Sequence, residues 1–247
     1  MTGFATLLRP TEFLDFDTAA VREFVSRALH DASLPPEEAA VKLYYAVRDG
    51  IRYEIYGSDL SRTSLRASAI IAAGSGFCIH KSIVYAAAVR SIGIPSRLVF
   101  TDVRNHLASP RLRELVGGNV FHYHCLASVY LNHRWIKVTP VFNMALCYLF
   151  GMKPLEFDGR SDSLHHPFDD QGRKYMEFIR IHGEFDDLPY QQVLDGLRRE
   201  HPKLFVNDVK MRGGALTAEV SPTRAQEAGW IAPSEAGAIQ PVKVQFG

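Results

Sequence analysis

The chain has 247 residues, of which 47% are hydrophobic, and its 28 basic residues almost balance its 27 acidic residues. This length fits one large domain or a domain with an appendage, and the charge balance gives no general attraction to nucleic acid or to an anionic membrane. Three cysteines are too few for a disulfide framework and leave at least one thiol free, so we expect a reducing, cytoplasmic compartment. The N-terminal stretch lacks a signal-peptide pattern and no segment has roughly 20 consecutive apolar residues, so we expect neither secretion nor a membrane span.

Helices dominate the first part of the predicted fold. Apolar residues recur at helical spacing over about 18–32, 36–50, 65–72 and 78–92. A short extended segment at 51–55 interrupts them, and a glycine-rich turn at 73–77 leads directly into the last helix. Gly93 and Pro95 end that helix.

Strands follow the helices, which is an α+β order. Alternation of apolar and polar residues predicts strands at 96–100, 121–131 and 135–139, and the close turn Asn132-His133-Arg134 indicates that the last two form an antiparallel hairpin. Further helices are predicted around 144–150, 172–182 and 190–200. We expect residues 1–205 to form the main domain. Residues 206–247 are richer in Ala, Gly and Pro, and we expect an extended arm that packs on its own domain or on a neighbouring subunit.

Cys78 stands at the first position of the predicted helix 78–92, after the glycine-rich turn. The first N–H groups of a helix lack intrahelical partners and the macrodipole is positive there, so a thiolate is favoured. Such surroundings lower a cysteine pKa from about 8.5 to roughly 3.5–7.5 and make a nucleophile. The alternative is that Cys78 is a small buried core residue, as free cysteines usually are.

A thiolate nucleophile also needs a base and a group that orients the base. His124 lies in the predicted strand 121–131, and the strand that contains Trp135 follows it. If these strands pair as a hairpin, their side chains converge on the helix start that carries Cys78.

The order of these motifs resembles the transglutaminase-like superfamily, and the flanking segments 14–17 and 154–159 resemble its bacterial stand-alone members. The match consists of Gly76-Phe77-Cys78, Gly93-Ile94-Pro95, His124 and Trp135 followed by Val138, and it covers about residues 43–143. The resemblance implies a papain-related α+β core in which the nucleophile helix packs on an antiparallel sheet. It also implies acyl transfer through an acyl-Cys78 intermediate, with His124 as general base and acid and no cofactor. The acyl donor would be an amide, peptide or thioester, and the acceptor an amine or water.

Position 139 departs from the family pattern, which usually has an acidic residue four positions after the tryptophan. Thr139 can offer one hydroxyl acceptor to a ring N–H of His124, and a neutral orienting residue is workable in related cysteine enzymes. Asp158 or Asp102 could orient the histidine instead, or none of the three could contact it. The backbone N–H of Cys78 should help to bind an oxyanion, and the residues that could supply a side-chain donor are Tyr53, Trp135 and Asn105.

Two other functions compete with acyl transfer. His122 and His124 are two apart on a strand, so with Cys78 they could form a metal site, although the sequence adds no Cys-x-x-Cys pair and we expect no metal. No nucleotide-binding fingerprint is present. The main rival is a catalytically silent domain that uses the cleft to bind a peptide or partner protein. The residue pattern leaves the substrate and the oligomeric state open.

Overall fold

The structure is a computed structural model that describes residues 4–30, 33–106, 108–164, 175–206 and 215–219. Seven α-helices occur within these ranges: α1 (Ala19–Leu29), α2 (Pro36–Gly50), α3 (Ala67–Ala73), α4 (Cys78–Ser91), α5 (Pro110–Val116), α6 (Met144–Phe150) and α7 (Tyr190–Glu200). The strands are β1 (Arg52–Tyr53), β2 (Ser75–Gly76), β3 (Ser96–Asn105), β4 (Val120–Leu131), β5 (Arg134–Val138) and β6 (Met176–Phe185). None of these helices is both long and apolar enough to cross a membrane.

The larger sheet has four antiparallel strands in the order β5-β4-β3-β6. Strands β4 and β5 form the predicted hairpin, in which Leu131 pairs with Arg134. The two turn residues, Asn132 and His133, both have positive φ angles of 49° and 63°. A two-residue turn of this kind matches the right-handed twist of the flanking strands. The hairpin prediction is therefore confirmed.

Helix α4 lies at the centre of the molecule. Every residue from Cys78 to Arg90 is buried, because the helix packs on β4 and β3 while α1, α2 and α3 also pack against it. Even the Lys81 ammonium is buried, and it donates hydrogen bonds to the carbonyls of Arg48 and Ile51 at the end of α2. A helix that is covered all round belongs to the core. The predicted α+β fold, in which the helix that begins at Cys78 packs on an antiparallel sheet, is confirmed.

Two local predictions are corrected by the structure. The helix predicted at 172–182 is wrong, because Met176–Phe185 is the strand β6, which pairs with β3 along its length; residues 172–174 lie outside the described part of the chain. Strand β3 also continues to Asn105, five residues beyond the predicted end, and α5 was not predicted. Most of the arm predicted at 206–247 lies outside the described residues, although 215–219 pack against the main domain.

Candidate active site

The glycine-rich turn before α4 places Cys78 beside Tyr53. Gly76 pairs with Tyr53 in the short parallel ladder between β2 and β1. A Cβ atom at Gly76 would lie 2.5 Å from the side chain of His80, so only glycine allows this close approach. The turn therefore fixes where α4 begins.

A second set of contacts joins the start of α4 to β4. The Ser82 hydroxyl donates a hydrogen bond of 3.0 Å to the backbone carbonyl of Cys125, the residue after His124. The backbone N–H of Cys125 in turn interacts with the Cys78 thiol. The thiol is thus held against the strand that carries His124, as the sequence predicts, although neither contact with Cys125 was foreseen.

Burial controls the protonation of both residues. It raises the pKa of the Cys78 thiol to about 11, although hydrogen bonds from the backbone N–H groups of Cys125, Ile79 and Cys78 act to lower it. Burial also lowers the pKa of His124 to about 4. The expectation of a lowered thiol pKa is wrong for this conformation, because the loss of hydration outweighs the helix N-terminus. Near neutral pH the pair is a thiol and a neutral imidazole.

Cys78, His124 and Tyr53 line one cavity of about 90 Å³. This volume is several times what a single water molecule needs. Most of the lining is apolar and includes Phe77, Phe121, Phe142, Leu146, Phe150 and Leu197. The cavity therefore suits an apolar group next to the thiol.

Tyr53, one of the residues considered as a side-chain donor to an oxyanion, lines the cavity together with Cys78. Its ring packs edge-on against Phe142 with centroids 4.7 Å apart. Burial raises its pKa well above the ordinary value, and the nearby Cys78 adds to this effect, so the hydroxyl stays protonated and can donate. Asn105 also lines the cavity. Trp135 does not; it packs against Tyr130 with centroids 5.4 Å apart.

Thr139 lies near His124, but its hydroxyl makes no hydrogen bond to the histidine. Val138 pairs with Ala127, which places Thr139 opposite Leu126 and diagonally from His124 on the same face of the sheet. Its backbone N–H donates to the carbonyl of Ser163 at 3.0 Å. The buried Thr139 hydroxyl has no hydrogen-bond partner among the residues that the structure describes.

Neither aspartate that was weighed as an orienting acid acts on His124 in this structure. Asp158 is exposed, and its carboxylate accepts hydrogen bonds from the backbone N–H groups of Arg160 and Ser161 at 2.8 and 2.7 Å. Neither Asp158 nor Asp102 contributes to the pKa of His124, whereas a carboxylate against the ring would raise it.

Asp102 instead holds the backbone next to His124. The register of β3 and β4 shifts between the pairs Thr101–His124 and Val103–Phe121, so β4 has a bulge at His122-Tyr123. Tyr123 has a φ of 56°, and its N–H donates to the Asp102 carboxylate at 3.2 Å. Asp102 therefore positions the strand, a role that the sequence pattern did not indicate.

The same carboxylate binds two histidines. Asp102 lies 2.6 Å from His182 Nε2 and 3.2 Å from His122 Nδ1. Tyr123 stacks on His182 with centroids 4.3 Å apart, and a Cβ at Gly196 of α7 would lie 2.0 Å from the Tyr123 ring. Helix α7 thus packs directly on the bulge.

The metal-site alternative gains no support. The His122 ring contacts the Asp102 carboxylate, with Nδ1 at 3.2 Å, and the His122 backbone N–H donates to His201 Nε2 at 2.8 Å. Across the described ranges, no three or more His, Cys, Asp or Glu side chains are grouped so that they could hold a metal ion.

Part of the chain is similar to known proteins. Residues 23–140 match the transglutaminase-like superfamily core. A solved structure of a candidate cysteine protease from Cytophaga hutchinsonii is similar, with 16% identity and a TM-score of 0.43, over 57% of this chain and 42% of that one. No curated protein matches at a significant level. The matched stretch contains Cys78, His124 and Thr139. The part of the chain that is similar to this superfamily, residues 23–140, is a little under half of its length.

Proposed function

We propose that this protein is a cysteine enzyme that transfers acyl groups through a thioester on Cys78, with an amide, peptide or thioester as acyl donor and an amine or water as acceptor. The observation that carries the proposal is that Cys78 and His124 line the same apolar cavity. The family match covers both residues and supports a cysteine enzyme at that level.

The neutral state of the pair defines the first step. Because His124 is unprotonated and Cys78 is a thiol near neutral pH, His124 takes the thiol proton as Sγ attacks the carbonyl carbon. A C–S bond forms and the carbonyl π electrons move to oxygen. The Cys78 backbone N–H and the protonated Tyr53 hydroxyl are the groups that would stabilise this oxyanion.

The remaining steps return the enzyme to its starting state. The protonated His124 gives its proton to the leaving amine or thiol as the bond to the acyl carbon breaks, which leaves the Cys78 thioester. Water or an amine then attacks the thioester while His124 removes its proton, and the C–S bond breaks as Cys78 regains a proton.

Thr139 is the proposed orienting residue for His124. Its hydroxyl is buried, makes no hydrogen bond within the described ranges and lies diagonally from His124 on the same face. A buried hydroxyl without a partner is costly. Rotation toward the ring N–H of the imidazolium would satisfy the hydroxyl and stabilise the charge that forms during the reaction.

Acylation by p-nitrophenyl acetate tests the proposal. We expect an acetyl group on Cys78 by peptide mapping, released by hydroxylamine, and strong loss of acylation in Cys78→Ala and His124→Ala. Cys147→Ser is the matched control, because Cys147 is another buried free thiol, on α6, whose pKa burial raises to about 12. Absence of acylation at Cys78, or equal labelling of Cys147, would overturn the proposal and leave a silent binding domain as the remaining function.

A further inference from the structure

The short segment 215–219 enters the cavity that contains Cys78. Leu216–Glu219 forms a single 3-10 turn, in which side chains three positions apart eclipse each other. Leu216 and Glu219 therefore point to the same side, and both line the cavity. Leu216 is only 5% exposed and belongs to the same apolar cluster as Cys78 and Tyr53.

The Glu219 carboxylate is held by a set of donors at the rim of the cavity. The hydroxyls of Tyr56 and Ser109 each donate to one of its oxygens, and Arg111 Nη1 lies 3.9 Å away. The Arg111 guanidinium also lies over the Tyr56 ring, 3.8 Å from its centroid. Burial, together with Glu219, raises the pKa of Tyr56, so its hydroxyl remains a donor. These three side chains make a carboxylate-binding subsite.

The main chain of the segment is recognised as well. The N–H of Leu216 donates to Glu54 Oε2 at 3.0 Å, while Glu54 Oε1 accepts the N–H of Tyr56 at 2.9 Å. Glu54 directly follows Tyr53, which lies next to the thiol. The cleft thus offers an apolar pocket, a carboxylate that accepts a backbone N–H, and a subsite for a carboxylate, which are features of a peptide-binding site.

We propose that residues 215–219 are an intramolecular occupant of the substrate cleft, and that the cleft accepts peptides with a leucine-like side chain followed three positions later by an acidic residue. The inference rests on the proposed function only in taking the cavity around Cys78 as the substrate cleft. A substrate peptide displaces the segment, and the segment in turn limits access to the thiol. The high pKa of Cys78 agrees with this, since an occupied cleft keeps water away from the sulfur.

The rate of Cys78 alkylation by iodoacetamide tests the occupant without any knowledge of the substrate. We expect Glu219→Gln, Tyr56→Phe and Leu216→Ala to raise the alkylation rate roughly tenfold, because each removes one contact between the segment and the cleft. The Tyr56→Phe/Glu219→Gln double variant should gain little more than either single one, since both remove the same contact. Exposed Glu23 and Leu8 supply the matched controls Glu23→Gln and Leu8→Ala, which should react as wild type does.

Short peptides added to the Glu219→Gln variant test the preferred sequence. The peptide Ala-Leu-Thr-Ala-Glu, blocked at both ends, should slow alkylation of Cys78 in a saturable manner. The same peptide with Gln in place of Glu, or Ala in place of Leu, should protect at least tenfold less effectively. Unchanged alkylation in all three variants, or equal protection by all three peptides, would overturn the inference.

These results separate the inference from the proposed function. Faster alkylation of Cys78 in the segment variants, without formation of an acetyl thioester, would contradict the proposed function but support the occupation of the cleft by residues 215–219. Acylation of Cys78 in the wild type, together with unchanged alkylation in the segment variants, would support the proposed function and contradict the occupation of the cleft. Thermal unfolding of each variant shows whether a faster alkylation reflects an open cleft or a loss of the fold.

Discussion

The Ser82 hydroxyl and the Cys125 carbonyl are joined by a buried hydrogen bond of 3.0 Å. Ser82 lies one turn after Cys78 on α4, and Cys125 follows His124 on β4. This bond therefore ties the helix that begins at Cys78 to the strand that carries His124.

Ser82→Ala should weaken both stability and acylation. It leaves the Cys125 carbonyl without this donor in the core, which costs about 1–3 kcal/mol of unfolding free energy, and it loosens the spacing between thiol and imidazole. Urea unfolding and the rate of Cys78 acetylation measure the two effects. Ser128→Ala on the same strand is the control, because the buried Ser128 hydroxyl has no hydrogen-bond partner within the described residues and its removal should cost nothing. Equal losses in both variants would contradict the role of Ser82.

Thr139→Val should separate chemistry from stability. Valine keeps the shape of threonine and removes a buried, unpaired hydroxyl, so we expect the unfolding free energy to stay level or to rise by about 1 kcal/mol. If the hydroxyl orients the imidazolium, the acylation rate should fall roughly tenfold or more while the enzyme remains folded. A Thr139→Val variant with wild-type acylation would remove Thr139 from the proposed mechanism.

The pH dependence of alkylation should report the burial of Cys78. The thiolate is the reactive form, and burial raises the pKa to about 11, so the wild-type rate should keep rising with pH well above the range of an ordinary thiol. No second inflection should occur between neutral pH and that value, because His124, with its pKa lowered to about 4, is already neutral. In Glu219→Gln the inflection should move to lower pH as water reaches the sulfur. A wild-type inflection well below the ordinary thiol pKa would contradict this structure.

Asp102→Asn should remove part of the acid sensitivity of the fold. Burial acts to raise the Asp102 pKa, but hydrogen bonds from His182, the Tyr123 N–H and His122 outweigh it, so the pKa lies below the ordinary 3.8. A depressed pKa stabilises the fold above the unfolded value, and this contribution is lost as pH falls through the folded value. Urea unfolding at decreasing pH should therefore show a steeper loss below about 3.8 for wild type than for the variant. Parallel curves would show that the carboxylate does not contribute in this way.

Gly196→Ala should disturb the site from outside the cavity. The new Cβ would lie 2.0 Å from the ring of Tyr123, a residue of the bulge beside His124, so either this ring or helix α7 must shift. We expect a loss of about 1–3 kcal/mol in unfolding free energy and slower acylation. The matched control is Gly50→Ala, where the new Cβ meets nothing within 4 Å and alanine should be neutral or stabilising.

Helix α4 and the tight turn of the β4–β5 hairpin were predictable because neighbouring residues in the sequence determine them. Helix α4 begins at Cys78 after a glycine-rich turn and ends before Gly93, and the Asn132-His133 turn fixes the β4–β5 hairpin. In β6, by contrast, apolar residues at Phe178, Ile179 and Ile181 are spaced as on a helix and are exposed. Pairing with β3 decides its structure, and no local pattern reports that pairing.

The sequence predicted that Cys78 and His124 lie together, and they line one cavity, but it did not predict the electrostatics of that cavity. The pKa of the Cys78 thiol depends on how completely the surrounding chain excludes water, which the order of residues does not report. The occupant of the cleft could not be foreseen either. Its contacts join residues more than a hundred positions apart, such as Tyr56 with Glu219, and such pairs leave no periodicity in the sequence.

The bulge at His122-Tyr123 also bears on how relatives of this protein can diverge. From the hairpin turn to His124, β4 keeps one register, which includes the pairs Ala127–Val138 with β5 and His124–Thr101 with β3, whereas the residues before the bulge pair with β3 in a shifted register. Loss of the extra residue would re-pair the segment before Tyr123 and leave the pairs from His124 to the turn in place. A change of length before Tyr123 can therefore be absorbed at the bulge without moving His124 along the sheet.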